Sequence, residues 1–201
     1  MATMPELLLA TSNPGKIREY RILLHGIGYR ITTPDEEGIA AAVAESGDSY
    51  EQNARLKAVA YNGLSQLTTL ADDSGLEVDA LGGLPGVRSA RFAGEGATDE
   101  DKVGLLLARL NGVPREDRTA RFICVIAIAH PGGRVDTCHG ECHGIIAFES
   151  KGKRGFGYDP VFYLPELGRT MAELPRSLKN QISHRARASQ EARRVLLQRQ
   201  S

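Results

Sequence analysis

The chain has 201 residues, 41% hydrophobic and 25% charged, which suits one large globular domain or two small lobes with a substantial core. Lys plus Arg and Asp plus Glu each total 25, so the formal net charge is zero. That balance argues against a protein built to coat nucleic acid, and any affinity for phosphates must come from the local placement of cations.

The opening segment MATMPELLLA lacks the basic-then-apolar pattern of a secretion signal, and no apolar run approaches the roughly 18 residues that span a bilayer. Leu7 to Thr11 reads as a short buried strand, and Ser12-Asn13-Pro14-Gly15 as its turn. Ile17, Tyr20, Leu23 and Leu24 recur at helical spacing, so a helix follows. Strand, glycine-containing turn and helix open an α/β layer. A second helix is predicted over Tyr50 to Asn62 and a strand over LTTLA (67–71), with the chain turning at Ser74-Gly75. LGGLPG is a loop, and Asp99 reads as the N-cap of a helix running through Leu105, Leu106 and Leu110. FICVIAIA and RVDTCHGECHGIIAF form a hairpin about Pro131-Gly132-Gly133. KGKRGFGYDP is a basic, glycine-rich loop, and His184 to Gln200 is a docked helix with Ala188, Ala192, Val195 and Leu196 on one face. The three cysteines, an odd number, point to a reducing cytoplasm.

Asp72-Asp73, at the end of the apolar run LTTLA, is the most informative pair. Two carboxylates there need a cation against desolvation and mutual repulsion, and a hard divalent ion with phosphate oxygens meets that need; the alternative is an exposed turn carrying two solvated acids. Thr11, Ser12, Asn13, Pro14, Gly15 and Lys16 end a strand and open a helix, an arrangement that aims N–H groups at an anion, although an ordinary capped helix start looks the same. Glu45 either reaches the ion of Asp73 or is surface charge. Lys57 shares a helix face with Asn53, so both can meet phosphate oxygens, or the lysine is merely solvated. Glycines on both sides of Phe156 let its ring lie flat on a base, with Asp159 accepting from a base N–H; the alternative is a glycine-rich turn around an aromatic anchor. Lys179, His184 and Arg185 gather donors, which favour a purine carbonyl at C6 over an amine; the alternative is simply a charged helix start.

CHGECH invites a zinc reading. In a strand, however, Cys138 and Cys142 share one face roughly 13 Å apart, and His139 and His143 share the other at the same separation, too far for one tetrahedral ion. Strand packing is the expectation.

In this order, LLLATSNPGK, ESGDSYEQNA, ADDSGLEVDALGGLPGVRSARFAG, GFGYDPVF and KNQISHRARA resemble the inosine triphosphate pyrophosphatase family, over nearly the full length. The resemblance implies a single domain over 1–201, an elongated α/β fold with a long mixed central sheet flanked by helices, and two lobes with a nucleotide cleft between them. It implies a cytoplasmic homodimer that uses magnesium to cleave ITP, dITP and XTP to the monophosphate and pyrophosphate, binding neither nucleic acid nor membrane. Thr11, Ser12, Asn13, Pro14, Gly15, Lys16 and Lys57 would hold the triphosphate. Asp73 would be catalytic and a metal ligand, supported at the metal by Glu45 and Asp72. Ser74 and Gly75 would touch the nucleotide, and Phe156, Gly157, Tyr158, Asp159, Lys179, His184 and Arg185 would enclose the base. Family members commonly carry Glu-Asn-Ala where this chain has Gln52-Asn53-Ala54, which opens the number of acids at the metal. Two rival functions are a nucleotide sensor without hydrolysis and a metal-dependent phosphatase that releases orthophosphate.

Overall fold

The computed structural model describes residues 4–41 and 43–198. The first three residues of MATMPELLLA and the last two expected of the C-terminal helix, 199 and 200, lie outside that range. The elements are β1 (Glu6–Leu9), α1 (Pro14–Leu23), β2 (Arg30–Thr32), α2 (Tyr50–Ser65), β3 (Thr68–Val78), α3 (Asp99–Arg109), β4 (Thr119–Ala129), β5 (Val135–Ile146), β6 (Phe162–Leu164), β7 (Arg169–Thr170), α4 (Arg176–Ile182) and α5 (His184–Leu197). Seven strands form one sheet in the order β2-β1-β3-β4-β5-β6-β7. β1 runs parallel to β2 and β3, whereas β5 with β6 and β6 with β7 are antiparallel, so the sheet is mixed, as expected.

The chain divides into two compact units. The first takes the described residues of Met1–Asp73, Cys124–Gly140 and Arg185–Ser201; the second takes Ser74–Ile123 and Glu141–His184. In the first, Leu7, Leu9, Leu70, Cys124, Ile126 and Cys138 pack with Tyr20 and Leu24 of the α1 segment and Ala188, Ala192 and Leu196 of α5. On the other face of β1 and β3, α2 buries Ala54 and Ala58. Covering on both faces is why β4 reads as an unbroken apolar run from Phe122 to Ala129. In the second unit, Val103, Leu106 and Leu110 of the α3 segment pack with Leu76, Val78, Phe122, Cys142 and Phe162.

Two local expectations are corrected. β3 does not end at the acids: it continues through Asp72, Asp73, Ser74 and Gly75 for 11 residues in all, because Leu76 and Val78 extend its buried alternation. The cap of α3 is Thr98, not Asp99. The Thr98 hydroxyl accepts from the Asp101 N–H (3.1 Å) and the Asp101 carboxylate accepts from the Thr98 N–H (2.9 Å), a capping box that seats Asp99 as the first helical residue. The CHGECH segment is regular β5, with Cys138 packed in the first core and Cys142 in the second.

Leu106 is fully buried at the centre of the second core. Leu106→Ala should lower the unfolding free energy by about 2–5 kcal/mol, read as a lower urea midpoint at unchanged slope.

Candidate functional site

Side chains alternate along a strand, so Asp72 and Asp73 point to opposite faces of β3. Their neighbours differ accordingly. Asp72 faces α1 and α5: the Lys16 Nζ lies 3.0 Å from its Oδ1 and the Arg185 Nη2 lies 3.4 Å from its Oδ2. Arg185 is itself almost fully buried and donates through Nη1 to Glu19 at 2.7 Å. The Cys124 thiol also donates to Asp72 Oδ2, at 3.8 Å. Burial pushes the Asp72 carboxyl up, but the charges of Lys16, Arg185 and Lys57 outweigh it and hold it well below the usual carboxylate range. Burial, reinforced by the Asp72 charge, pushes the Cys124 thiol up to about 12, so it stays protonated and able to donate.

Asp73 faces α2. The Asn53 Nδ2 donates to its Oδ2 at 3.0 Å, while the Asn53 Oδ1 accepts from the Gly47 N–H at 2.8 Å. One side-chain amide thus ties the catalytic candidate to the loop that carries Glu45. That loop cannot carry a side chain at 47, where a Cβ would lie 2.7 Å from the Gln52 Cβ and 2.9 Å from the Asn53 Oδ1. Lys57, buried one turn further along α2, donates from Nζ to Glu45 Oε1 and to the Asp72 carbonyl, both at 2.6 Å. Burial drags the Lys57 ammonium down, yet Asp72, Glu45 and Asp73 together raise it, and it stays charged. The Asp73 carboxyl moves opposite to that of Asp72. Burial raises its pKa, Lys57 opposes this, and the nearby Glu45 carboxylate raises it further.

Two carboxylates that repel one another at the mouth of β3 offer hard oxygen donors, the chemistry that Mg2+ selects. Among the described residues no group of three or more His, Cys, Asp or Glu could hold a metal. Two protein carboxylates suffice for Mg2+ only when substrate phosphates and water complete its shell, which is its common mode of binding. Asp73 and Glu45 fit that role. Asp72 lies on the opposite face of the strand, paired with Lys16 and Arg185, and its contribution there is to fix cations. Gln52 is exposed and accepts from the Asp48 N–H (2.8 Å), while Ser49, the cap of α2, accepts from the Gln52 N–H (3.2 Å); a Glu at 52 would meet the same Asp48 N–H.

In the TSNPGK turn, the Asn13 side chain accepts from the Gly15 and Lys16 N–H groups at 2.8 and 3.1 Å, with Pro14 at the first helical position. Thr11 accepts from the Asn13 N–H at 3.2 Å. Arg185, expected among the base-enclosing residues, has its guanidinium on Glu19 and Asp72.

The second unit holds the other set. Ser74 is half-buried and Gly75 buried on β3. Lys179 forms a buried ion pair with Asp159 Oδ2, an atom that also accepts from the Phe156 N–H at 2.9 Å. The Lys179 Nζ lies 5.0 Å from the centroid of the half-buried Phe156 ring. Gly155 has φ +79°, and any Cβ there would collide with the Asp159 carboxylate, so the loop closes tightly around that acid. Tyr158 is buried and donates to the Ser89 carbonyl at 2.9 Å, and the His184 ring stacks on Phe122 with centroids 4.7 Å apart. Asp99 carries a contact that the sequence reading did not anticipate: its Oδ2 accepts from the Gly157 N–H at 2.6 Å.

A mixed α/β sheet with acids, lysines and a glycine-rich aromatic loop in these positions is the pattern of a known group of proteins. The sequence pattern of the Ham1 family matches residues 7–195, and the chain belongs to that family. It is 50% identical over 191 residues to a dITP/XTP pyrophosphatase of Desulforamulus reducens, covering 95% of each chain. It is 43% identical over 196 residues to a dITP/XTP pyrophosphatase of Bacillus subtilis, covering 98% of this chain and 99% of that one. Among solved structures, a HAM1 protein from Coxiella burnetii matches with a TM-score of 0.88 at 40% identity, covering 97% of this chain and all of the other.

A carboxylate whose folded pKa is depressed stabilises the fold above the ordinary carboxylate pKa, and that stability is lost as pH falls below it. Asp72→Asn should therefore cost about 3–5 kcal/mol at pH 7, since it strips a buried guanidinium of a charged partner. The deficit should shrink below about pH 4, where wild-type Asp72 begins to lose its own contribution. Urea unfolding of both proteins at pH 7 and pH 3 measures this, and an equal deficit at both would trace the loss to something other than the charge.

Proposed function

We propose that this Ham1-family chain is a nucleoside triphosphate pyrophosphatase that hydrolyses noncanonical purine nucleotides (ITP, dITP and XTP) to the monophosphate and pyrophosphate, cleansing the nucleotide pool. The observation that carries the reading is Asp73, oriented by Asn53, raised in pKa beside Glu45 and flanked by Lys57. The activity that names the dITP/XTP pyrophosphatases, similar over more than nine-tenths of the chain, supports the same reading.

In this reading Asp73 and Glu45 hold Mg2+, whose chemistry there is to neutralise charge on the phosphate oxygens. The Asp73 carboxylate orients a water for in-line attack at the α-phosphorus and takes its proton. The new bond joins the water oxygen to the α-phosphorus; the bond that breaks joins the α-phosphorus to the α–β bridging oxygen, and pyrophosphate departs with that oxygen. Lys57 and Lys16 stabilise the charge that develops on the leaving group. An ammonium has three donors, so Lys16 can meet phosphate while keeping Asp72. Thr11, Ser12, Asn13, Pro14 and Gly15 shape the turn that places Lys16, and Ser74 and Gly75 contact the nucleotide along β3.

The base is held by Phe156, Gly157 and Tyr158, with Lys179 and His184 as donors and Asp159 fixing Lys179. Arg185 serves the phosphate end by holding Asp72. Donors facing the purine edge are satisfied by the 6-oxo group of inosine or xanthine and left unpaired by the amine of adenine, while ribose and deoxyribose are both accepted. The working form is a cytoplasmic homodimer that binds neither nucleic acid nor membrane. Zero net charge and three free, buried cysteines agree with that setting, and among the described residues no helix is long and apolar enough to cross a membrane.

Purified protein with ITP and Mg2+ should release one pyrophosphate per IMP. Orthophosphate from the γ position would indicate a phosphatase, and binding without either product a sensor. Asp73→Asn should lower kcat by about 10²–10⁴-fold. Because the Asp73 pKa is raised in the fold, its charge costs stability once pH exceeds that value and costs none below the ordinary carboxylate range. The same variant should therefore have a higher Tm than wild type at pH 8 without Mg2+, an advantage that fades on acidification. Loss of turnover together with a lower Tm would argue for a structural role instead.

Each unsatisfied buried donor costs about 1–3 kcal/mol, so kcat/KM for ITP should exceed that for ATP by at least about tenfold. Comparable values would contradict the account of the base site.

A further inference from the structure

The loop Phe156–Tyr158 needs a fixed position if its ring is to select a base, and side chains from outside the loop take part in fixing it. Tyr158 ties one end through its hydroxyl to the Ser89 carbonyl, and Asp159 ties the Phe156 N–H. Between them, the Gly157 N–H has no acceptor of its own within the loop; it donates to Asp99 Oδ2 at 2.6 Å, across 58 residues of sequence. The other oxygen of Asp99 pairs with the Lys102 Nζ at 2.6 Å, three residues along α3. The carboxylate is thereby fixed on both sides: Lys102 holds it against the helix, and the capping box of Thr98 and Asp101 fixes the helix start on which it stands. Burial pushes the Asp99 carboxyl up, but the contacts to Lys102 and Gly157 outweigh it and keep the group ionised, the state in which it accepts most strongly.

Outside α3 and its cap, Asp99 acts on the base loop: it accepts from the Gly157 N–H and its charge bears on the neighbouring Tyr158 hydroxyl, beside the half-buried Phe156 ring. We infer that Asp99 is a positioning residue for base selection: it clamps the Phe156–Tyr158 loop through the Gly157 N–H and thereby sets how well the enzyme separates 6-oxo purines from adenine nucleotides. The inference rests on the function proposed above, and it adds a residue of α3 to the specificity apparatus.

Four proteins test it: wild type, Asp99→Ala, Asp99→Asn and Asp101→Ala, each assayed for pyrophosphate release from ITP and from ATP. Asp99→Ala removes the acceptor. The loop should loosen, with KM for ITP rising about tenfold, the loss expected for one charge-assisted hydrogen bond. kcat should change by less than about threefold, since chemistry is carried elsewhere, and the ITP-to-ATP ratio of kcat/KM should fall. Asp99→Asn keeps a side-chain oxygen for Gly157 and should retain most of the selectivity. Asp101→Ala breaks the capping box and should lower the Tm without changing the ITP-to-ATP ratio, which separates clamping of the loop from general weakening of α3. Wild-type selectivity in Asp99→Ala would overturn the inference. So would equal damage in Asp99→Asn and Asp99→Ala, or a fall in selectivity in Asp101→Ala matching that in Asp99→Ala. If Asp99→Ala does not fold, Asp99→Ser, whose hydroxyl is too short to reach the Gly157 N–H, takes its place: a fall in selectivity that Asp99→Asn does not show upholds the inference, and wild-type selectivity overturns it. Absence of pyrophosphate release in wild type is a separate outcome, one that removes the proposed function and not merely the role of Asp99.

Discussion

Two acids at consecutive positions inside one continuous strand present their side chains to opposite faces, so they do not pair side by side with the same direct partners. Each buried carboxylate must then be offset on its own face, and this constraint organises the first unit. On one face Asp72 draws Lys16 from α1 and Arg185 from α5, and Arg185 in turn draws Glu19, so that two helices are cross-linked through a single strand position. On the other face Asp73 has an amide donor from Asn53 and the field of Lys57, but it also has Glu45 nearby. Lys57 serves both sides by donating to the Asp72 carbonyl and to Glu45.

The result is an asymmetric pair. Asp72 is over-compensated and behaves as a permanent anion, a structural anchor for cations. Asp73 is under-compensated, and its pKa moves in the opposite direction. A carboxylate left short of positive charge next to a second carboxylate is a poor arrangement for stability and a good one for a divalent cation with phosphate oxygens. Such a separation of the pKa values of neighbouring acids is a frequent mark of sites where chemistry occurs.

Much of this was legible in the sequence. The buried strands, the helix after the first turn and the hairpin about Pro131-Gly132-Gly133 follow from local pattern and turn chemistry, and the structure has them, although α1 already begins at Pro14, inside the expected turn. The end of β3 was misread because Asp-Asp-Ser-Gly looks like a turn; only the two-residue alternation of Leu76 and Val78 beyond it indicates that the strand continues. The cap of α3 was misplaced by one residue because Thr98 and Asp99 are both capable caps, and it is Asp101 three positions after Thr98 that decides between them. Partners of buried charge were the least legible. Nothing near Asp72 in sequence points to Glu19, Cys124 or Arg185, and nothing near Gly157 points to Asp99. Such pairings arise from tertiary placement, on which local pattern is silent. Asn53 left a faint signal, since it stands one helical turn before Lys57 on the same face, but nothing in that pattern points to Asp73, to which its amide donates.

Many polar groups that the sequence offers to a ligand are wired first into the protein. Asn13 caps α1, Gln52 accepts from the Asp48 N–H ahead of α2, Asp159 holds Lys179 and the Phe156 N–H, and Tyr158 reaches a backbone carbonyl. This is how a site acquires electrostatic strength without reorganising as substrate arrives: donors and charges already fixed by internal partners lose little freedom on binding. It also explains why a conservative replacement such as Gln for Glu at position 52 is compatible with the site. The group at that position is spent on a backbone N–H at the helix start, and either side chain supplies the oxygen that the N–H requires. On the α2 face of β3, Asp73 and Glu45 are wired too, to Asn53 and Lys57, but there the acceptors are two carboxylates close enough for the charge of Glu45 to raise the pKa of Asp73, and an amide in place of either would remove that charge.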